Sequence, residues 1–100
     1  MIRHTVAFRL KHPAGSEREA TFLADGQRIL TAIPGVGEFQ VLEQVSAKNS
    51  FRHGFSMEFD GQAAYDAYNN HPDHVAFVRD RWLPEVDEFL EIDYVAYMPG

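Results

Sequence analysis

The sequence predicts an α+β domain whose elements run β-α-β-β-α-β, and three observations carry that order. Residues 2 to 10 alternate strictly: Ile2, His4, Val6, Phe8 and Leu10 point one way, Arg3, Thr5, Ala7 and Arg9 the other. Period two of this kind marks a strand with one face in a core. Phe51, His53, Phe55, Met57 and Phe59 repeat the pattern against Arg52, Gly54, Ser56, Glu58 and Asp60. After each of these strands the apolar spacing changes from two to that of a helix, with start and stop signals at its ends.

The elements follow in order. Lys11-His12-Pro13-Ala14-Gly15 breaks the first alternation and reads as a loop. Ser16 with Glu19 forms a capping box, the hydroxyl accepting from the third amide and the carboxylate returning the bond. Phe22, Leu23, Gly26, Ile29, Leu30 and Ile33 then lie on one helical stripe, closed by Pro34-Gly35. A glycine inside a helix costs about 1 kcal/mol against alanine, so Gly26 is expected to make room for something. Phe39, Val41 and Val45 alternate with Gln40, Leu42 and Gln44 as the second strand, and polar Ser46 to Ser50 connects it to the third. Ala63, Ala64, Ala67 and Tyr68 begin the second helix, which stops near Asn70 because the residue before Pro72 is pushed out of helical geometry. Pro72 suits the first turn of a new helix carrying Val75, Val78 and Trp82, with Phe77 beside them, before Pro84 kinks or restarts the chain. Glu85-Val86-Asp87-Glu88 reads as a solvated face with Val86 and Phe89 turned inward. Ile92, Tyr94, Ala96 and Met98 alternate with Asp93, Val95 and Tyr97 in a last strand.

Composition narrows the function. The chain has 45% apolar residues, eight Phe, four Tyr and one Trp, so residues 1–100 are expected to form one domain with an aromatic core. A net charge of −6 and only short, mixed basic runs argue against nucleic acid as a partner. No cysteine is present, which removes disulfides, thiolate nucleophiles and Cys-based zinc sites. Neither a signal peptide nor a membrane span is readable, so a cytoplasmic location is expected.

This order is the ferredoxin-like arrangement, a four-stranded antiparallel sheet with both helices on its Phe-rich face. The other face, carrying Thr5, Ala7, Gln40, Leu42, Ser56 and Val95, is too apolar for open water on a small sheet. The simplest partner for it is a second copy, so a homodimer is expected.

Three segments, Ile2-Arg3-His4-Thr5-Val6-Ala7-Phe8, Tyr68-Asn69-Asn70-His71-Pro72-Asp73-His74-Val75 and Asp93-Tyr94, together resemble the stress-responsive dimeric α+β barrel (Dabb) family. Ile33-Pro34-Gly35-Val36 after the first helix is similar as well. The resemblance implies two chains packed sheet to sheet as a barrel. Its olivetolic acid cyclase-type branch, which closes a linear polyketide by an aldol reaction, is similar in more detail. On that branch the catalytic Tyr and His correspond to Tyr68 and His74, the first-strand His to His4 and the third-strand His to His53. The chain departs from the branch at Gly26, where the branch has an aromatic residue, and in a stretch between His74 and Asp93 that is one residue longer.

The residues themselves allow the following chemistry. A helix N-terminus disfavours the imidazolium, so His74 is expected to be neutral and able to take a proton from a carbon beside a carbonyl. Tyr68 would stabilise the enolate oxygen. His4, as a further catalytic group, and His53, as a substrate-binding one, would stand on the sheet wall of the same cavity to orient substrate or stabilise the oxyanion, with Val6, Phe8, Phe22, Phe55, Met57 and Phe77 as apolar lining and Gly26 opening the helix side. No cofactor is expected, and no metal, since only His71 and His74 of the histidines are close in sequence. The plain alternative for His71 and His74 is that they cap and staple the helix break, and for His4 that it is a core histidine. Two classes of function follow: a cofactor-independent polyketide cyclase-like enzyme or neighbouring antibiotic-biosynthesis-type monooxygenase, against a non-catalytic dimeric stress or binding protein whose cavity is vestigial or holds a small apolar ligand. A cavity with Tyr68 and His74 directed inward favours the first. One filled by Phe22, Phe55 and Phe77 favours the second.

Overall fold

The computed structural model describes residues 1–100 and has the ferredoxin-like order. Strand β1 (Ile2–Leu10) is followed by helix α1 (Glu17–Thr31), strands β2 (Gly37–Glu43) and β3 (His53–Phe59), and helix α2 (Gln62–Asn70). Helix α3 (Pro72–Phe77) runs through a π-helical turn (Val78–Trp82) into a last α-turn, α4 (Leu83–Glu85), and strand β4 (Val86–Tyr94) closes the chain. All pairings are antiparallel, in the order β2-β3-β1-β4. No helix is long and apolar enough to cross a membrane.

The alternation of β1 places its residues as expected. Ile2, His4, Val6, Phe8 and Leu10 are all buried beneath the helices. The Phe8 ring packs 4.8 Å from Phe55 and 5.0 Å from Trp82, and Phe22 reaches from α1 to within 5.7 Å of Phe77. These rings fill the space between α1 and the sheet. Ser16 caps α1 by accepting from the Glu19 amide at 3.2 Å, but the Glu19 carboxylate returns its bond to the amide of Gly15.

Strand β4 corrects the reading of the C-terminus. It begins at Val86, not Ile92, and ends at Tyr94, so Val95, Ala96 and Met98 lie outside it. Its pairing with β1 runs from Leu10 opposite Val86 to Arg3 opposite Tyr94, and only Ile2 of β1 lies beyond that last pair. The acidic run Asp87-Glu88 is part of this strand, held by Arg9 through both carboxylates. The faces also differ from expectation. Ile92 pairs with Thr5 and Leu90 with Ala7, so the outer sheet face carries Leu90, Ile92 and Tyr94 in place of Val95. Val86 is buried, and Phe89 faces the helices but stays half exposed at this edge strand. In β2 the strand stops before Val45, which is 90% exposed.

Candidate functional site

A cavity of about 120 Å³ lies between the sheet and the broken second helix. The sheet supplies His4, Val6, Phe55 and Met57; the helical side supplies Tyr68, His74, Phe77, Val78 and Trp82, with Leu30 from α1. Leu83, Phe89 and Glu91, all exposed, mark the side that opens to solvent.

The break at Pro72 is what brings Tyr68 and His74 together. Six residues along an unbroken helix turn about 240° around its axis, which would send the two side chains to different faces. Here the proline holds His71 in an extended conformation (ψ 135°) and α3 starts afresh. The His71 ring then caps α3, its Nδ1 accepting from the Asp73 amide at 3.1 Å. The structural role weighed for His71 is therefore the one it has. The His74 ring comes to lie 4.4 Å from that of Tyr68, centroid to centroid.

Further along, the Leu83 amide reaches back five residues to the Val78 carbonyl, and Pro84 has no N–H to offer the Asp80 carbonyl. That π turn sets Val78, Trp82 and Leu83 around the cavity. Single π turns recur at functional sites in proteins.

The hydrogen bonds fix the tautomer of His74. Its Nδ1 lies 3.2 Å from the Asn69 carbonyl, which can only accept, so Nδ1 carries the proton and donates. Nε2 is left with a free lone pair. Burial pushes the His74 pKa below the ordinary imidazole value, more than the Asn69 carbonyl raises it. The lowered basicity matches expectation, but desolvation rather than the helix terminus leads it. The Tyr68 phenol is only 2% exposed, and burial moves its pKa upward. It remains a proton donor throughout the neutral range, with no side-chain or backbone partner drawing on its hydroxyl.

His4 belongs to a network that sequence spacing does not reveal. Its Nδ1 donates to Asp93 Oδ1 at 2.5 Å, and the Tyr65 hydroxyl donates to Asp93 Oδ2 at 2.8 Å. One carboxylate thus orients an imidazole from β1 and a phenol from α2. Tyr65 also sits 3.0 Å from His4 Nδ1, a close approach, since that nitrogen's single proton goes to Asp93. His4 is a core histidine, but its partner is a carboxylate and its ring forms part of the cavity wall.

Four of the expected lining residues are not at this cavity. His53 is buried at the start of β3 opposite Phe8, its Nε2 3.2 Å from Glu19 Oε2 without hydrogen-bond alignment. Phe8 and Phe22 are fully buried behind the wall as packing. Gly26 opens nothing: a Cβ there would stand 2.8 Å from Phe55 Cζ, so its missing side chain makes room for the Phe55 ring. Conversely, Leu30, Val78, Trp82, Leu83, Phe89 and Glu91 line the cavity and were not singled out for it from the sequence. The helical stripe through Val78 and Trp82 was the available signal for two of them. No three His, Asp or Glu side chains converge so as to hold a metal ion.

Comparison with known proteins places the chain in a family. The profile described as the stress responsive A/B barrel domain matches residues 2–96. The chain belongs to the stress-responsive A/B barrel domain family. This A/B barrel chain is 27% identical over 103 residues to a stress-response A/B barrel domain-containing protein of Arabidopsis thaliana. That alignment covers 100% of the chain but 39% of the plant protein, so the chain spans about two fifths of this curated relative. Among solved structures, a Dabb family protein with a ferredoxin-like fold from Mesorhizobium loti is 61% identical, with 97% of each chain covered and a TM-score of 0.96. A dimeric ferredoxin-like protein from Thermobifida fusca is 20% identical over 95% of this chain and 90% of its own, with a TM-score of 0.78. A hydroxynitrile lyase from Passiflora edulis is 16% identical over 99% and 95%, with a TM-score of 0.83. The last two likenesses, at low identity, concern the A/B barrel chain's fold.

Proposed function

We propose that this A/B barrel chain is a cofactor-independent acid–base catalyst that acts, as a homodimer, on a small carbonyl compound. The observation that carries the reading is the Tyr68–His74 pair on one cavity, with His74 Nδ1 engaged by Asn69 and Nε2 free. In the reaction, His74 Nε2 takes a proton from the carbon beside the carbonyl. The electrons of that C–H bond move to the carbonyl oxygen, and the enolate accepts a hydrogen bond from the Tyr68 hydroxyl. The imidazolium then returns the proton, or the enolate carbon attacks a second carbonyl as in an aldol closure. His4, held by Asp93, is a further polar group on the wall.

Size limits the substrate. A cavity of roughly 150 Å³ in another protein takes benzene, so about 120 Å³ suits one ring or a short chain. A polyketide-like substrate would have to extend past Leu83 and Phe89 through the open side. The homodimer is supported by the apolar outer face, where Leu42, Leu90, Ile92 and Tyr94 are each 41–52% exposed, and by dimeric neighbours of the same fold.

The test is α-proton exchange of cyclohexanone in D₂O followed by NMR. Wild type is expected to catalyse it, and Tyr68→Phe and His74→Ala each to lose about 10²-fold or more while remaining folded. Equal exchange by both variants would sink the assignment. The Asn69 bond favours a second reading, in which His74 staples the helix break of a ligand-binding barrel. That reading requires His74→Ala to melt early and wild type to give no exchange.

A further inference from the structure

The acids of β4 are not alike. Asp87 and Glu88 pair with Arg9, and Asp93 with His4. Glu91 has neither an ion pair nor a hydrogen bond, and it stands on the helix side of the sheet, opposite Val6, as part of the cavity lining. No lysine or arginine lines the cavity to balance it. Burial holds the His74 pKa below the ordinary imidazole value although Glu91 acts to raise it, and the His4 ring is paired with the Asp93 carboxylate. Five of the other lining residues are aromatic, Phe55, Tyr68, Phe77, Trp82 and Phe89, and as many are aliphatic.

We infer that the cavity selects a small organic cation, an ammonium or iminium compound whose apolar body sits among the aromatic walls while its charge meets Glu91. This rests on the reading of the cavity as a ligand site and names its ligand class. Aromatic faces attract cations through their quadrupole, tryptophan most strongly, and such walls recognise organic ammonium groups. Glu91 adds a full negative charge at the open side, where the head of a bound molecule would emerge. An anion of the same size meets that charge with no cation to offset it. The net charge of −6 acts in the same direction on the encounter. For a carbonyl substrate, the expected form is an amino ketone or its iminium rather than a keto acid.

The experiment uses three probes with one ring and different charge: benzylammonium, benzyl alcohol and benzoate. Binding to the whole chain is measured by NMR at pH 7 and low salt. The expected order of affinity is benzylammonium, then benzyl alcohol, then benzoate. Glu91→Gln should weaken benzylammonium by about fivefold, the upper range for an exposed charge pair, and leave benzyl alcohol nearly unchanged. Glu91→Lys should reverse the order of the two ions. Benzoate binding as tightly as benzylammonium, or a preference indifferent to both substitutions, overturns the inference, as does failure of all three probes to bind. Cyclohexanone exchange separates the two claims. Charge preference without exchange upholds the ligand class and removes the catalytic reading; exchange without charge preference does the reverse.

Discussion

Gly26 and Phe55 share one space: the Cβ that residue 26 lacks would fall 2.8 Å from Phe55 Cζ and 3.2 Å from Cε2. The Phe55 ring is 1% exposed and packed against Phe8, Phe39 and Trp82, so it has little freedom to retreat. Gly26→Ala should therefore destabilise the chain by up to about 2 kcal/mol. The overpacking cost of about 1–3 kcal/mol outweighs the roughly 1 kcal/mol gained in helix propensity. Urea unfolding checks this; a higher midpoint at unchanged slope would mean that the ring moves freely.

Asp93 holds two side chains at once, and Asp93→Ala would leave His4 Nδ1–H and the Tyr65 hydroxyl without their acceptor. The expected loss is about 1–2 kcal/mol, moderated because Asp93 is 38% exposed and water can enter. For a domain of this size that is a fall in Tm of roughly 4–16 °C. Asp93→Asn should recover part of it, since the amide oxygen still accepts. Thermal unfolding of the three proteins decides; an unchanged Tm in Asp93→Ala would remove the network from the stability of the fold.

Burial lowers the pKa of His74 in the folded chain below its unfolded value, and this fixes the sign of its pH dependence. Below about pH 6.5 the unfolded histidine binds a proton that the folded one does not yet accept. The stability contribution is therefore complete above that pH. It is lost as pH falls from about 6.5 to the folded pKa, where it levels off. The difference in unfolding free energy between wild type and His74→Gln, followed from pH 8 to 5, should shrink across that window. A difference that grows towards acid would mean that the imidazolium is the form the fold prefers.

The outer sheet face should be the dimer interface. Leu90→Lys with Ile92→Lys places two charges on that face without touching the core beneath the helices, and the expected product is a folded monomer. Sedimentation at micromolar concentration, alongside circular dichroism, measures it. A wild type that already sediments as a monomer, or a double variant that stays dimeric, would move the interface elsewhere.

Much of the fold was legible because its signals are local. The period of β1 assigned every one of its side chains to a face, and Pro72 marked the break that sets His74 against Tyr68. The faces of β4 were harder. Its apolar residues divide between the faces: Leu90, Ile92 and Tyr94 point away from the helices, while Phe89 faces the cavity side with Glu91 and Asp93. Hydropathy marks a face as one that shuns water without saying whether helices or another chain will cover it.

Local spacing along the chain set the order of the elements, the strand that anchors the core and the helix break beside the cavity, since each depends on residues a few positions apart. Tertiary structure alone decided which aromatic side chains fill the core and which leave space. It decided that Gly26 yields to Phe55, that His53 turns to Glu19, and that Glu91 stands unpaired at the opening. It also joined His4 to Asp93, 89 residues away, and to Tyr65, 61 away. Such contacts are set by strand register and by competition for volume between side chains of different elements, and neither leaves a periodic trace along the chain.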